Sequence, residues 1–288
     1  MRRMYFIGVT TGESSIHRIF PRWARLAGVE DAELVGADLP LGGPPAGYRA
    51  AVARVRDDPE AMGALVTTHK VPIFEYARDL FTDFDADAEL LGEVSCIVRR
   101  GERLTGQAID TLTAGLALRA ILGETKFCGH ALVMGAGGGG LAFACHLYRE
   151  HQPAQVILTD ISAERLAQVR GRTPAHCELV SGPEAHDRMI GELPPGSLIV
   201  NATGVGKDRP GSPITAAARF PVDTTAWDFN YRGELLFLDY ARAQQIRTID
   251  GWEYFLHGWS QIMARVLGFD LTPELFAAMK KTAEMLRR

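Results

Sequence analysis

The segment Leu132-Val133-Met134-Gly135-Ala136-Gly137-Gly138-Gly139-Gly140-Leu141-Ala142 leaves few folds open to the chain around it. Its apolar start reads as a buried strand, the glycines as a turn with no room for side chains, and the apolar residues beyond as a helix. In that setting Gly135 makes the tight turn, Gly137 admits a pyrophosphate close to the backbone, and Gly140 lets the helix pack on the strand. A glycine loop by itself is weak evidence and is equally consistent with a flexible loop. The next apolar strand, Val156-Ile157-Leu158-Thr159-Asp160, changes the balance. It puts an acid about 20 residues beyond the last glycine, where a carboxylate accepts hydrogen bonds from ribose hydroxyls. Together they predict a dinucleotide-binding domain with Gly135, Ala136, Gly137, Gly138, Gly139 and Asp160 at the cofactor. A carboxylate there repels a 2′-phosphate, and Ile161-Ser162-Ala163 offer no arginine to pair with one, so NAD is expected rather than NADP. Arg165, one turn into the following helix, is the side chain able to swing back.

Periodicity extends this α/β reading in both directions. Before the glycine segment, strand-like MYFIGV, AELVGADL and AMGALVT alternate with helical stretches through Arg18 to Leu26 and around Tyr48 to Arg56, which predicts a parallel sheet with helices packed on it. EVSCIVRRGERLTGQAI reads as a hairpin about Arg100-Gly101-Glu102, followed by a connecting helix from about Thr111 to Leu122. A second alternation starts after Gly129, with strands in HALVMGAG, AQVILTD, CELV, SLIVNAT and TTAWDFN and helices from about Gly139 to Glu150 and from Ser162. The tail, Gly251 to Arg288, has two helical periods, with Pro273 near the start of the second.

Composition excludes several function classes. At 288 residues, 47% hydrophobic and 23% charged with a net charge of -4, the chain has the make-up of a soluble globular protein without a general attraction to nucleic acid or anionic membrane. No run approaches the roughly 20 apolar residues of a membrane span, and Met1-Arg2-Arg3 leads into a short strand in place of a signal-peptide core, so a cytoplasmic location is expected. Cys96, Cys128, Cys145 and Cys177 are scattered without a C-x-x-C pair and are read as buried apolar thiols. His69 and His257 stand without second ligands and make no case for a metal.

Unexpected polarity gathers at two further places. Gly63-Ala64-Leu65-Val66-Thr67-Thr68-His69-Lys70 ends a buried strand in two hydroxyls, an imidazole and an ammonium, and Gly106-Gln107-Ala108-Ile109-Asp110-Thr111 puts a carboxylate at the start of the connecting helix. Taken singly, Asp110 is an N-cap and Lys70 a solvated strand-end lysine. Beside a dinucleotide domain they share a use: hydride transfer at a carbinol carbon leaves an oxygen that must lose or gain a proton.

The order of segments GVTTGESS, GALVTTHK, GEVSC, GQAIDT, GAGGGG, NATGVG, DFNY and GWEYFLHG resembles the shikimate/quinate dehydrogenase family over nearly the whole chain. The resemblance implies a substrate-binding α/β domain over residues 1–109, a Rossmann-type NAD(P) domain over 110–250, a cleft between them, and C-terminal helices over 251–288 returning to the first domain. It implies Lys70 and Asp110 as the catalytic pair, the lysine handling the proton and the aspartate orienting it and bonding substrate hydroxyls. It also implies substrate contacts from Ser14, Thr67 and Tyr231, with Ser15, Thr68, Ser95 and Gln261 as the residues that stand in where this sequence departs from the pattern, and cofactor contacts from Asn201, Ala202, Thr203, Gly204 and Gly251. Tyr231 reads equally well as a packed core tyrosine, and Asn201 to Gly204 as an ordinary strand-end turn.

Departures from the family pattern bear on the substrate. Ile16 stands where the family has the second serine of its carboxylate-binding S-x-S pair, and Glu13 replaces the neighbouring histidine. Ser95 and Ala108 replace two asparagines, the lysine segment is one residue shorter and lacks its proline, and Gly258 takes the place of a substrate-binding glutamine, with Gln261 one turn later. The expected activity is NAD-linked, reversible oxidation of a secondary alcohol in a small polyhydroxylated acid, with shikimate or quinate the nearest named substrates. A polyol lacking the usual carboxylate is the alternative substrate, and a dinucleotide-sensing regulator the alternative class. A homodimer is left open by the sequence.

Overall fold

The computed structural model describes residues 1–207 and 209–287. By contacts the chain divides into two compact units, one of Met1–Ile109 with Leu256–Arg288, the other of Asp110–Phe255.

In the first unit the order is β1 (Arg2–Gly8), α1 (Ile16–Leu26), β2 (Ala32–Asp38), α2 (Pro45–Asp57), β3 (Ala61–Val66), α3 (Lys70–Ala77), β4 (Asp83–Phe84), α4 (Ala86–Leu91), β5 (Cys96–Arg100) and β6 (Arg103–Gln107). The strands form one sheet in the order β2-β1-β3-β5-β6-β4. It is mixed where a parallel sheet was expected: β2, β1 and β3 run parallel, but β5 pairs antiparallel with both β3 and β6. The hairpin accounts for the β5–β6 direction, whereas the β3–β5 direction comes from pairing between segments distant in sequence. Gly63 serves the β3–β5 pairing, since a Cβ there would lie 2.0 Å from the Ile97 carbonyl oxygen. Local chemistry sets the helix ends. Asp85 accepts from the Ala88 amide at 2.7 Å to cap α4, and Gly92 closes it at φ 64°. Tyr5, Ile7, Val52, Val66, Ile73 and Ile97 pack in the core between sheet and helices.

The second unit runs α5 (Asp110–Leu122), β7 (His130–Met134), α6 (Gly138–Glu150), β8 (Gln155–Asp160), α7 (Ala163–Val169), β9 (His176–Leu179), α8 (Pro183–Glu192), β10 (Leu198–Asn201), β11 (Thr225–Asp228), α9 (Leu236–Arg242) and β12 (Arg247–Ile249). Its sheet is parallel throughout, in the order β12-β11-β10-β7-β8-β9. Strand order reverses between β7 and β10, which makes their carboxyl ends the topological switch point of a doubly wound, Rossmann-type sheet. The helix α10 (Trp252–Leu267) starts in this unit and continues into the first, where α11 (Pro273–Leu286) packs on α1 and its Met279 carbonyl accepts from Trp23 Nε1 at 2.8 Å.

Two expectations need correction. Lys70 does not end a strand. β3 stops at Val66, and Lys70 opens α3, a helix hidden from the sequence because Pro72 interrupts it; a proline in the first turn costs no hydrogen bond. The cysteines are not uniformly buried: Cys96 and Cys145 are, Cys177 is half-buried and Cys128 exposed.

Candidate functional site

At the switch point of the second unit the backbone forms a cradle. Gly135 turns at φ 101°, and a Cβ on it would lie 2.8 Å from the Ala202 carbonyl oxygen; one on Gly140 would meet the Gly135 oxygen at 1.9 Å. Both glycines are therefore required by packing. Gly137, the N-cap of α6, has open space where a Cβ would project. With Gly138 and Gly139 it presents the first helical amides, and the positive end of the helix dipole, to a ligand. The half-buried glycines fit the close approach of a pyrophosphate.

Asp160, at the end of β8, holds this turn. It accepts from the Ala136 amide at 2.9 Å with Oδ2 and from the Ser162 amide at 2.9 Å with Oδ1. Arg165 does swing back: its Nε donates to the Ala136 carbonyl at 2.7 Å and Nη1 to Gln168 Oε1 at 3.2 Å. Acid and guanidinium thus hold the two backbone groups of one loop alanine.

Across the switch point, the Ala202 amide donates to the Met134 carbonyl at 2.8 Å, tying the end of β10 to that of β7. Asn201 is fully buried, and its Oδ1 accepts from the Thr203 amide at 3.1 Å and the Thr203 hydroxyl at 2.6 Å. Gly204 turns at φ 75°. Gly251 passes so close to the end of β11 that a Cβ would lie 2.1 Å from the Phe229 oxygen, and its amide donates to the Asn230 carbonyl at 2.9 Å. Tyr231 is half-buried, its ring 4.4 Å from that of Phe255 and 5.4 Å from that of Trp252. One residue here escaped sequence reasoning. Asp228 is fully buried at the end of β11, and burial pushes its carboxyl up to about 7 against the opposing hydrogen bonds from Asn230 and Asn201. Its signals were an acid closing an apolar strand and its place at the head of the DFNY segment.

In the first unit the polar residues collect after β3. Thr67 is tied to β1 by its amide, which donates to the Ile7 carbonyl at 3.0 Å. Thr68 is exposed and adopts φ 60°, a left-handed conformation unusual for a β-branched residue. His69 is buried, with Nε2 3.0 Å from the Leu39 carbonyl. Lys70 is half-buried, and its carbonyl accepts from the Val94 amide at 3.1 Å, linking the lysine to the segment that carries Ser95.

Several predicted substrate residues turn inward. Ser95 is fully buried, and its Oγ accepts from the Ile109 amide at 2.9 Å, steadying the backbone one residue before Asp110. Asp110 is buried and is itself the first residue of α5, so it lies inside the helix whose cap it was read to be. Ser14 is buried with Oγ 3.4 Å from the Ile16 amide, Ser15 is half-buried, and Ile16 is fully buried in the core. On α10, Gln261 is half-buried, Gly258 borders open space, and burial pushes the His257 imidazole down to about 4. A cavity of about 570 Å³ in the second unit, beside Ile161, Leu179 and Met189, includes none of these residues. Among the described residues no group of three or more His, Cys, Asp or Glu could hold a metal ion, and no helix is long and apolar enough to cross a membrane.

Comparison with known proteins agrees with this geometry. No family model matches the chain. Shikimate dehydrogenase (NADP(+)) of Symbiobacterium thermophilum is 28% identical over 229 residues, 74% of this chain and 73% of that protein. The Stenotrophomonas maltophilia enzyme of the same name (strain K279a) is 32% identical over 200 residues, 66% of each chain. Among solved structures, shikimate dehydrogenase 1 of Peptoclostridium difficile superposes with a TM-score of 0.79 at 16% identity, over 99% of this chain and 98% of that one. Quinate dehydrogenase of Corynebacterium glutamicum in complex with NAD gives a TM-score of 0.73 at 20% identity, over 99% of each chain. From its fold and these relatives, the chain belongs to the shikimate/quinate dehydrogenase family of nicotinamide-dependent oxidoreductases, as a shikimate dehydrogenase-like member.

Proposed function

We propose that this protein is an NAD-preferring dehydrogenase that reversibly oxidises a secondary alcohol of a small polyhydroxylated acid in the cytoplasm. Residues 110–250 serve as the dinucleotide domain, residues 1–109 as the substrate domain, and residues 251–288 as its helical completion. The observation that carries this reading is the cradle at the switch point: open space at Gly137, packed glycines on either side, and Asp160 holding the Ala136 amide. The acid at the end of β8 favours ribose hydroxyls over a 2′-phosphate. Arg165 is the counterweight to this preference: it swings back toward the turn, with Nε on the Ala136 carbonyl and Nη1 on Gln168.

A nicotinamide dinucleotide bound there supplies the hydride acceptor. The chain's own residues do the rest. In oxidation the substrate C–H bond breaks and the hydride leaves with its electron pair, while Lys70 takes the proton from the hydroxyl oxygen as the carbonyl forms; in reduction it returns that proton. Asp110 orients the lysine and accepts hydrogen bonds from substrate hydroxyls.

One observation favours a second substrate class. Ile16 is fully buried where relatives by motif carry a carboxylate-binding serine, and Gly258 leaves space where they carry a glutamine. Reduction of NAD and of NADP, followed by absorbance with shikimate, quinate and a panel of polyols without a carboxylate, tests both readings beside Lys70→Ala. Turnover of shikimate or quinate supports the first, and turnover of the other polyols alone supports the second. Binding of NAD without turnover of any alcohol points to a sensor, and preference for NADP overturns the assignment to Asp160.

A further inference from the structure

The two chain segments at the carboxyl ends of β10 and β11 are held together around one buried acid. Asp228 Oδ2 accepts from Asn201 Nδ2 at 2.9 Å, and Oδ1 accepts from the Asn230 amide at 2.8 Å. Asn201 Nδ2 also donates to the Val205 carbonyl at 3.2 Å, which receives a second bond from Asn230 Nδ2 at 3.1 Å. The Thr203 hydroxyl, while donating to Asn201 Oδ1, accepts from the Val205 amide at 3.1 Å. Each residue in this set therefore bonds to the 201–206 turn or to the 228–230 turn beside it.

The partners determine which way each group points. Asn201 cannot flip its amide. Its oxygen faces a backbone N–H, which only donates, and its nitrogen faces a backbone carbonyl, which only accepts. The group opposite that nitrogen must therefore accept, and so must the group opposite the Asn230 amide. An ionised carboxylate accepts on both oxygens, whereas a carboxamide in its place would set one NH₂ against another or abandon the Asn230 amide. Burying a charge is costly unless it is hydrogen-bonded, so its presence here calls for a reason beyond filling space.

We propose that Asp228 is a positioning residue for the reaction: its acceptor-only carboxylate, through Asn201 and Asn230, sets the shape in which the 201–206 turn receives the dinucleotide. The turn it shapes lies directly on the glycine cradle, where Gly135 and Gly140 leave Ala202 no clearance. This rests on the reading of the second unit as the dinucleotide domain.

The test uses the full chain, as wild type, Asp228→Asn, the exchanged pair Asn201→Asp with Asp228→Asn, and Thr203→Val. Hydrogen exchange at the Thr203 and Val205 amides is measured without cofactor, and the affinity for NADH together with kcat and KM for NAD is measured beside it. In Asp228→Asn, exchange at both amides and KM for NAD are expected to rise about tenfold or more, the scale of one lost buried hydrogen bond. The exchanged pair restores a donor opposite an acceptor between positions 201 and 228 but sets a carboxylate oxygen against the Val205 carbonyl. It therefore recovers only the share of both that belongs to the 201–228 contact and the Asn230 amide, which a role in packing alone would not produce. Unchanged exchange and affinity in Asp228→Asn overturn the proposal. If Asp228→Asn does not fold, folding of the exchanged pair supports the proposal; failure of both, with exchange in Thr203→Val unaltered, overturns it. A wild type that does not bind NADH counts against the dinucleotide reading alone, because the exchange comparison needs no cofactor and still decides whether Asp228 shapes the turn.

Discussion

The two units treat their predicted site residues differently. In the second, nearly every predicted cofactor position is a glycine, a backbone amide or an acid bound to one, and the constraint is steric: 1.9 Å between a hypothetical Gly140 Cβ and the Gly135 oxygen admits no alternative residue. In the first, the predicted substrate positions are side chains, and some have been drawn into the fold: Ser95 supports Ile109, and Ile16 fills the core. A backbone site tolerates little drift in sequence and so keeps its signature. A side-chain site can be rebuilt one residue at a time.

The sharpest break in this comparison should come from Lys70→Ala. Loss of a positioned proton-handling group costs roughly 10²- to 10⁴-fold in rate. kcat is expected to fall by that amount while NADH affinity, a property of the other unit, stays constant; retained turnover would remove Lys70 from the chemistry. Next in size is a pair of glycine substitutions. Gly140→Val forces a side chain into a closed backbone contact and should cost about 3 kcal/mol or more, whereas Gly258→Gln enters open space on a helix and should gain up to roughly 1 kcal/mol. Thermal melting of the two variants reads this directly, and equal melting temperatures would refute the contrast between the units.

Ser95→Ala separates two roles for one residue. The Ile109 amide would lose its acceptor in a buried place, at about 1–3 kcal/mol, with a matching drop in melting temperature. A raised KM for substrate at unchanged melting temperature would instead make Ser95 a substrate contact.

The smallest expected effect is a difference in acid sensitivity. Burial pushes His257 in the first unit and His146 in the second down to about 4. The unfolded chain then binds more protons than the folded one between those values and the ordinary histidine pKa of about 6.5, so both units lose stability as pH falls through that window. Asp228 has the opposite sign. Its folded pKa of about 7 lies above the unfolded value, so protonation below pH 7 offsets part of the His146 loss in the second unit. In the first unit the loss is compounded at lower pH. There Asp31, Asp57, Asp79 and Asp83 are held below the carboxylate range by hydrogen bonds from Arg2, Arg56, Arg49 and Arg103, and solvent keeps each contribution small. Burial lowers His151 and His186 in the second unit as well and raises Asp85 in the first. Hydrogen exchange between about pH 7 and pH 4.5 should therefore show the second unit opening earlier, and His146→Gln should narrow the gap. Simultaneous opening would mean that these groups do not govern acid unfolding.

What the sequence disclosed follows the same division. The parallel sheet of the second unit, its glycine turn and the acid at position 160 were legible because each leaves a local pattern: an apolar run, a residue without a side chain, a fixed offset. The hairpin from Cys96 to Gln107 was legible from its turn, but not the antiparallel pairing of β5 with β3, which joins strands far apart in sequence. The helix that starts at Lys70 was hidden by its proline. Asp228 was hidden more deeply. Its importance lies in Asn201 and Asn230, and the Asn201 contact comes from another strand.

Thr68 bears on attempts to make this protein more robust. A threonine held at φ 60° carries strain of order 1–3 kcal/mol, and glycine at that position would relieve it. An engineer ranking substitutions for heat tolerance would therefore choose position 68 early. It is also the hinge through which β3 delivers Lys70 to its place. A glycine there would widen the range of directions the lysine can take. Heat tolerance gained at this one residue would be drawn from the constraint on the amine proposed to handle the proton.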